Sequence, residues 1–169
     1  CIRDSPELLS HLVILNSPHP DVFARELAEN PDQQSASSYI SWFQSDGVED
    51  TLAANDYAFL ASTVFTDDFT AEDEAAYKEA WGQPGALTAM LSWYRANADD
   101  AGIAVPDAPL MVSVPTLVIW GMQDTALLTG NLIGLDKYVS DLTVIEYADA
   151  THWIAHEEPD GVSADILSF

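Results

Sequence analysis

Residues 142–152 read "LTVIEYADATH": an apolar, β-branched run, a short turn, then a histidine, His152. Two other runs share the pattern of that first segment, "HLVILN" at 11–16 and "PTLVIWG" at 115–121. Each is short, rich in Val, Ile and Leu, and bounded by turn residues, so each predicts a buried strand. Continuous runs of this kind suit parallel strands covered on both faces. Between the second and third runs, 127–139 predicts a helix with Leu128, Leu132 and Leu135 on one face. After the third, "DGVSADILSF" brings back Val162, Ile166 and Phe169 at helical spacing. Both ends of the chain therefore predict α/β architecture.

The middle carries a different pattern. From residue 21 to about 107 no strand stands out, and helical patterns recur. In "SSYISWFQ", Tyr39, Trp42 and Phe43 stand at i, i+3 and i+4. "FTAEDEAAYKEAW" opens with Thr70 and places Asp73 three residues on, a capping arrangement. "QPGALTAMLSWYRAN" follows Pro84 with Leu87, Met90, Leu91 and Tyr94 on one stripe. "GIAVPDAPLMVSVP" then reads as an extended return linker. The expected plan is a partial α/β core from residues 1–20 and 108–169, interrupted by an all-helical lid at 21–107. An insertion of this kind commonly covers the carboxyl ends of the strands.

Composition narrows the function classes. At 48% hydrophobic over 169 residues the chain can bury a core. No apolar run reaches the roughly 18 residues a membrane helix needs, so no membrane span is expected. Five Lys+Arg against 28 Asp+Glu give a net charge of −23. Nucleic acid and anionic membranes are poor partners for such a surface. A saline habitat suits it, because salt screens the self-repulsion. One cysteine, Cys1, excludes an intrachain disulfide, and no Cys/His cluster has zinc spacing. The absent initiator methionine leads us to expect a piece of a longer chain. A cytoplasmic address is the expectation, with any targeting segment upstream out of view.

Asp124 falls just beyond the carboxyl end of one predicted strand, in "VIWGMQD", and His152 just beyond the next. If these strands are parallel neighbours, both side chains emerge on one edge of the sheet. A carboxylate there accepts from one imidazole nitrogen, fixes the tautomer and leaves the other nitrogen to take a proton. Spacing alone also allows a turn-capping aspartate and a surface histidine. His11 and His156 are assigned to the surface, and His19, in "NSPHP", to a proline-fixed structural turn.

The segment "LVILNSPHP" resembles the strand and turn leading into the cap of the epoxide hydrolase and haloalkane or haloacetate dehalogenase branch of the α/β-hydrolase superfamily. "VPTLVIWGMQD" and "ATHWIAHEEP" look like that family's acid strand and catalytic-histidine loop, in the family's order. The resemblance covers essentially the whole chain. It implies that Asp124 is the orienting acid and His152 the general base. "YISWFQSDG" and "LSWYR" resemble the two cap motifs whose tyrosines donate to an epoxide oxygen, which points to Tyr39 and Tyr94. Opening an epoxide creates an alkoxide, and a phenol with a pKa of about 10 can donate to it while staying protonated at neutral pH. Trp42, Trp93 and Trp153 are expected to line an apolar substrate pocket. No cofactor and no metal are implied. The implied partners are a small apolar epoxide or halogenated substrate and water.

Two departures accompany the resemblance. The family's nucleophilic aspartate sits on an elbow before "LVILNSPHP", and the chain begins after it; Asp4 belongs to the approach to the first strand. The expectation is a chain that lacks the amino-terminal half of its own core and is inactive and poorly soluble alone. Thr151 stands where the family often has glycine before the histidine. A dehalogenase on the same scaffold is the nearest rival, kept alive by Trp42 and Trp93. A non-catalytic ligand-binding protein of this fold, and an acidic structural domain, are the others.

Overall fold

The computed structural model describes residues 5–99, 102–103 and 108–169. Cys1, Asp4 and part of the expected return linker lie outside the described residues. The chain divides into two compact units, Cys1–Ser37 with Val105–Phe169, and Ser38–Ala104.

The first unit is built on a parallel three-stranded sheet. Strands β1 (Leu12–Leu15), β4 (Thr116–Gly121) and β5 (Leu142–Tyr147) lie in the order β1-β4-β5. Leu15 pairs with Ile119, and Gly121 with Tyr147, so the carboxyl ends of β4 and β5 finish level. Only the central strand is buried along its whole length. The flanking strands have one neighbour each, and β1 is half-buried while Val144 and Glu146 of β5 face outward. The reading of all three as covered on both faces is thus corrected to the centre alone.

Alternation on the pleat sorts the side chains. Leu117 and Ile119 point to one face, where Ala150, Ile154 and Val162 close over them, with Val13, Leu15, Ile145, Tyr147 and Phe169 at the margin. Each full aliphatic burial there contributes about 1.5–3 kcal/mol. Helices α7 (Ile154–Glu157) and α8 (Pro159–Ser168) supply this cover. Ile166, read as part of the apolar stripe of α8, is instead 39% exposed. Elsewhere in the unit Val112, Val114 and Val139 form a second cluster with Leu12, Leu110, Tyr138 and Leu142.

Helices α1 (Pro20–Glu29) and α2 (Pro31–Ala36), which the sequence reading put at the start of the insertion, belong to this unit. His19 caps α1: its Nδ1 accepts from the backbone N–H of Asp21, so Nε2 carries the hydrogen and donates to the Leu110 carbonyl at 2.7 Å. The ring stacks on Tyr138. His11 is exposed and meets Phe169 edge-on, whereas His156 is half-buried in α7.

The helix expected over 127–139 does not form. Two single 3-10 turns, Thr129–Leu132 and Leu135–Lys137, replace it. Its backbone groups are engaged elsewhere. The Arg25 guanidinium donates to the carbonyls of Gly130 and Ile133, and the buried Gln33 side chain accepts from Leu128 N–H and from the Asn131 amide. Gly134 has φ +77°, which ends any helix there. Gly130 is a position of close approach, because a Cβ would lie 2.1 Å from the Glu26 carboxylate.

The second unit is helical: α3 (Ser38–Phe43), α4 (Val48–Val64), α5 (Ala71–Trp81) and α6 (Ala86–Ala96). It also holds a two-residue pairing, β2 (Ala98–Asp99) with β3 (Gly102–Ile103), where no strand was expected. Thr70 and Asp73 form the reciprocal cap at the start of α5. Helix α4 is broken at Asn55, Asp56 and Tyr57, all at positive φ. The short polar side chains of Asn and Asp tolerate that region, and Tyr57 does so at a cost. Phe65, Phe69, Tyr77 and Trp81 pack as an aromatic cluster between α4 and α5. On α6 Leu91 is buried, while Met90, placed on the same stripe by the sequence, is 45% exposed. Among the described residues no helix is long and apolar enough to cross a membrane.

Candidate active site

The parallel register delivers Asp124 and His152 to one edge of the sheet. After Gly121 the chain turns, with Asp124 N–H donating to the Gly121 carbonyl. The loop carrying the histidine is tied to this turn by Met122 N–H to Tyr147 O and Gln123 N–H to Ala150 O, each 2.9 Å. The two segments come so close that only glycine serves at 121. A Cβ there would lie 2.1 Å from the Thr151 carbonyl oxygen.

Four donors load the Asp124 carboxylate. Oδ1 accepts from the backbone N–H groups of Ala126 and Leu127 at 2.8 and 2.9 Å. Oδ2 accepts from Asn16 Nδ2 and from His152 Nδ1, both at 2.7 Å. An ionised carboxylate offers about four acceptor sites, so this one is filled. The geometry sets the tautomer, since Nδ1 must carry the hydrogen that Oδ2 receives. Nε2 has no hydrogen-bond partner among the described residues. The acid is almost wholly buried and the imidazole partly open, at 1% and 38% side-chain exposure. Burial is the largest single influence on the Asp124 carboxyl and would raise its pKa. The hydrogen bonds from His152, Leu127 and Asn16, with the charge of His152, together outweigh it and hold the carboxyl below its ordinary range. An ionised acid against an oriented imidazole can move a proton at Nε2.

Two supports were not foreseen from the sequence. Asn16, buried at the end of β1, had no signal beyond an Asn that ends a strand run. Glu157 accepts from Thr151 N–H at 2.6 Å and from the Thr151 hydroxyl. That clamp gives the non-glycine residue before His152 a role of its own, bracing the loop from α7. Trp153 meets His152 edge-on at 5.2 Å and is half-buried. A cleft of about 440 Å³ opens beside the acid, lined by Asp32, Ser35, Met122, Gln123, Asp124 and Thr125 among others.

In the helical unit the structure brings Tyr39 and Tyr94 together, with ring centroids 6.1 Å apart and nearly perpendicular. Both touch Phe43. Burial pushes the Tyr94 phenol above its ordinary pKa, which keeps it a donor across the neutral range. Trp42 packs on Phe43 and Phe59, whereas Trp93 is 56% exposed and meets Tyr94 by its edge. Among the described residues no cluster of three or more His, Cys, Asp or Glu could hold a metal ion.

No protein-family model matches the chain. It is 39% identical to AB hydrolase superfamily protein YfhM of Bacillus subtilis, over 97% of this chain and 58% of that protein. With Epoxide hydrolase 4 of Homo sapiens it shares 31% identity, over 97% of this chain and 47% of that one. The crystal structure of Bacillus megaterium epoxide hydrolase in complex with an inhibitor matches it with a TM-score of 0.88 at 32% identity, over 97% of this chain and 61% of the other. The chain's relatives and structural neighbours lie in the α/β-hydrolase superfamily. Within it, the chain's relatives include epoxide hydrolases. It spans about half the length of the curated relatives it matches. The sheet, with its parallel strands and flanking helices, is the α/β fold the three apolar runs predicted.

Proposed function

We propose that this chain carries the acid–base pair and the epoxide-oxygen donors of an epoxide hydrolase. The observation that carries the reading is the 2.7 Å hydrogen bond between His152 Nδ1 and an Asp124 carboxylate with every acceptor site filled. In this reading the nucleophile is an aspartate carboxylate outside these 169 residues. It attacks a ring carbon, the carbon–oxygen bond breaks, and Tyr39 or Tyr94 passes its proton to the departing alkoxide. An ester remains. His152 Nε2 takes a proton from water, and the hydroxide attacks the ester carbonyl. The acyl–oxygen bond breaks, releasing the diol and restoring the carboxylate. The imidazolium then gives its proton to solvent and the tyrosinate regains one from solvent, so the sum is epoxide plus water giving diol. Asp124 stabilises the imidazolium throughout.

The test is turnover of styrene oxide by the full gene product that carries these residues, beside its His152→Ala variant. Expected is diol formation that falls on the order of 10²–10⁴-fold in the variant, with alkylated enzyme accumulating because the ester is not cleaved. Turnover of haloacetate in place of styrene oxide would replace this reading with dehalogenation. A product that binds epoxides without turnover would make the fold a ligand carrier.

A further inference from the structure

Asn16 ends β1 at 3% exposure, and the chemistry above does not call on it. Its φ of +39° lies in the left-handed region that Asn tolerates better than most residues. The side chain is engaged at both ends. Oδ1 accepts from Gly121 N–H at 2.8 Å, and Nδ2 donates to Asp124 Oδ2 at 2.7 Å, with a longer contact to the Gly121 carbonyl at 3.4 Å. The orientation of the amide follows from its partners. Gly121 N–H can only donate, so oxygen must face it, and the NH₂ group turns to the carboxylate. The oxygen that receives it is the one that also receives His152.

We propose that Asn16 is a positioning residue of the Asp124–His152 pair, setting how much of the carboxylate's charge the imidazole feels; this rests on reading that pair as catalytic. An oxygen that accepts a second hydrogen bond is less basic toward the first donor. The amide also stops the carboxylate from rotating away from the imidazole. Strand β1 thus reaches the site without supplying a reacting group. Two other charged side chains face this region: Asp32 of α2, across the cleft from Asp124, and Glu157 of α7, on Thr151 beside the histidine. Both stay unchanged in the test, so any shift belongs to the amide.

Two variants of the full gene product separate charge tuning from architecture. Asn16→Gly keeps a backbone that glycine adopts freely and deletes the amide. Asn16→Asp keeps the shape and exchanges the donor for a second carboxylate. The readouts are the pH profile of kcat/KM on styrene oxide and the imidazole ¹⁵N titration by NMR, which needs no turnover. Expected is a rise in the apparent pKa of the pair by about one unit in Asn16→Gly, and a larger rise in Asn16→Asp. A lowered melting temperature with unchanged pH profile and unchanged titration would overturn the inference and leave Asn16 as a strand-end brace. A parent that turns over no epoxide while the titration still shifts would sink the hydrolase reading and keep the positioning role.

Discussion

In the sheet-bearing unit, Asp124 is held by four hydrogen bonds to one carboxylate, whereas in the helical unit Tyr39 and Tyr94 are held by the faces and edges of aromatic rings. The first arrangement is directional: every lone pair has a named donor, and a change of one atom leaves donors facing donors. The second is set by shape. Removing the Tyr94 hydroxyl leaves its ring contacts with Tyr39, Phe43 and Trp93 in place. Exchanging one atom of Asp124 should therefore disturb fold and chemistry together, whereas removing the Tyr94 hydroxyl should touch chemistry alone.

Asp124→Asn tests the first half of that contrast and has the largest expected effect. Whichever way the new amide turns, its NH₂ meets either the Ala126 and Leu127 N–H groups or the Asn16 and His152 donors. The imidazole loses the carboxylate charge that fixes its tautomer, and turnover by the full gene product should fall about 10⁴-fold. Urea denaturation should show a loss of about 1–3 kcal/mol. The sign with pH follows from the depressed carboxyl. Its stabilisation is fully present above the ordinary value of 3.8 and is lost as pH falls through the lower folded value. Wild type and variant should converge in stability at strongly acid pH. An active, equally stable variant would end the claim that this carboxylate is over-determined.

Gly121→Ala attacks the same site through sterics. A methyl group 2.1 Å from the Thr151 carbonyl forces the histidine loop off the end of β4. Loss of about 1–3 kcal/mol in a urea melt is expected, with the His152 loop the first region to lose hydrogen-exchange protection. Uniform loss of protection across the sheet would show that the close approach is shared by the whole unit and is not local to the site.

Tyr94→Phe probes the other half. The ring contacts with Tyr39, Phe43 and Trp93 survive, so the melting curve should barely move. Turnover of styrene oxide should drop on the order of 10²-fold, as for loss of one donor to a developing oxyanion. A stability loss as large as that of Asp124→Asn would show that the phenol is itself a structural hydrogen-bonding group, and the contrast between the units would collapse.

How far the sequence could be read follows the same division. The three strands were legible because continuous Val, Ile and Leu runs have few other uses, and the meeting of Asp124 and His152 at one sheet edge followed from their places beyond two of those runs, while their roles came only from the resemblance. The breakdown of 127–139 into short turns was not. Leu128, Leu132 and Leu135 have helical spacing, but the groups that compete for that backbone, Arg25 and Gln33, lie about a hundred positions earlier. Asn16 was hidden for the same reason, since its partner Asp124 is distant in the chain. Local periodicity carries no information about such long-range polar partners.

The smallest effect lies on the surface of the helical unit. Arg95 forks onto Glu49, with Nη1 to Oε1 at 2.7 Å and Nη2 to Oε2 at 3.1 Å, and joins α6 to α4. That hydrogen bond from Arg95 is the main reason the Glu49 carboxyl is lowered from 4.5 to about 2. A depressed carboxyl stabilises the fold above its unfolded value, so the contribution is complete above 4.5 and fades as pH falls through about 2. The pair is half-buried at the surface, and added salt should screen it. Melting temperatures of wild type and Glu49→Gln should differ slightly at neutral pH in low salt, less in high salt, and least near pH 2. This bidentate pair is a directional contact in the same unit whose rings hold Tyr94. If the difference persisted at acid pH, the fork would be acting through packing of the arginine stem, and the helical unit would owe its arrangement to shape throughout.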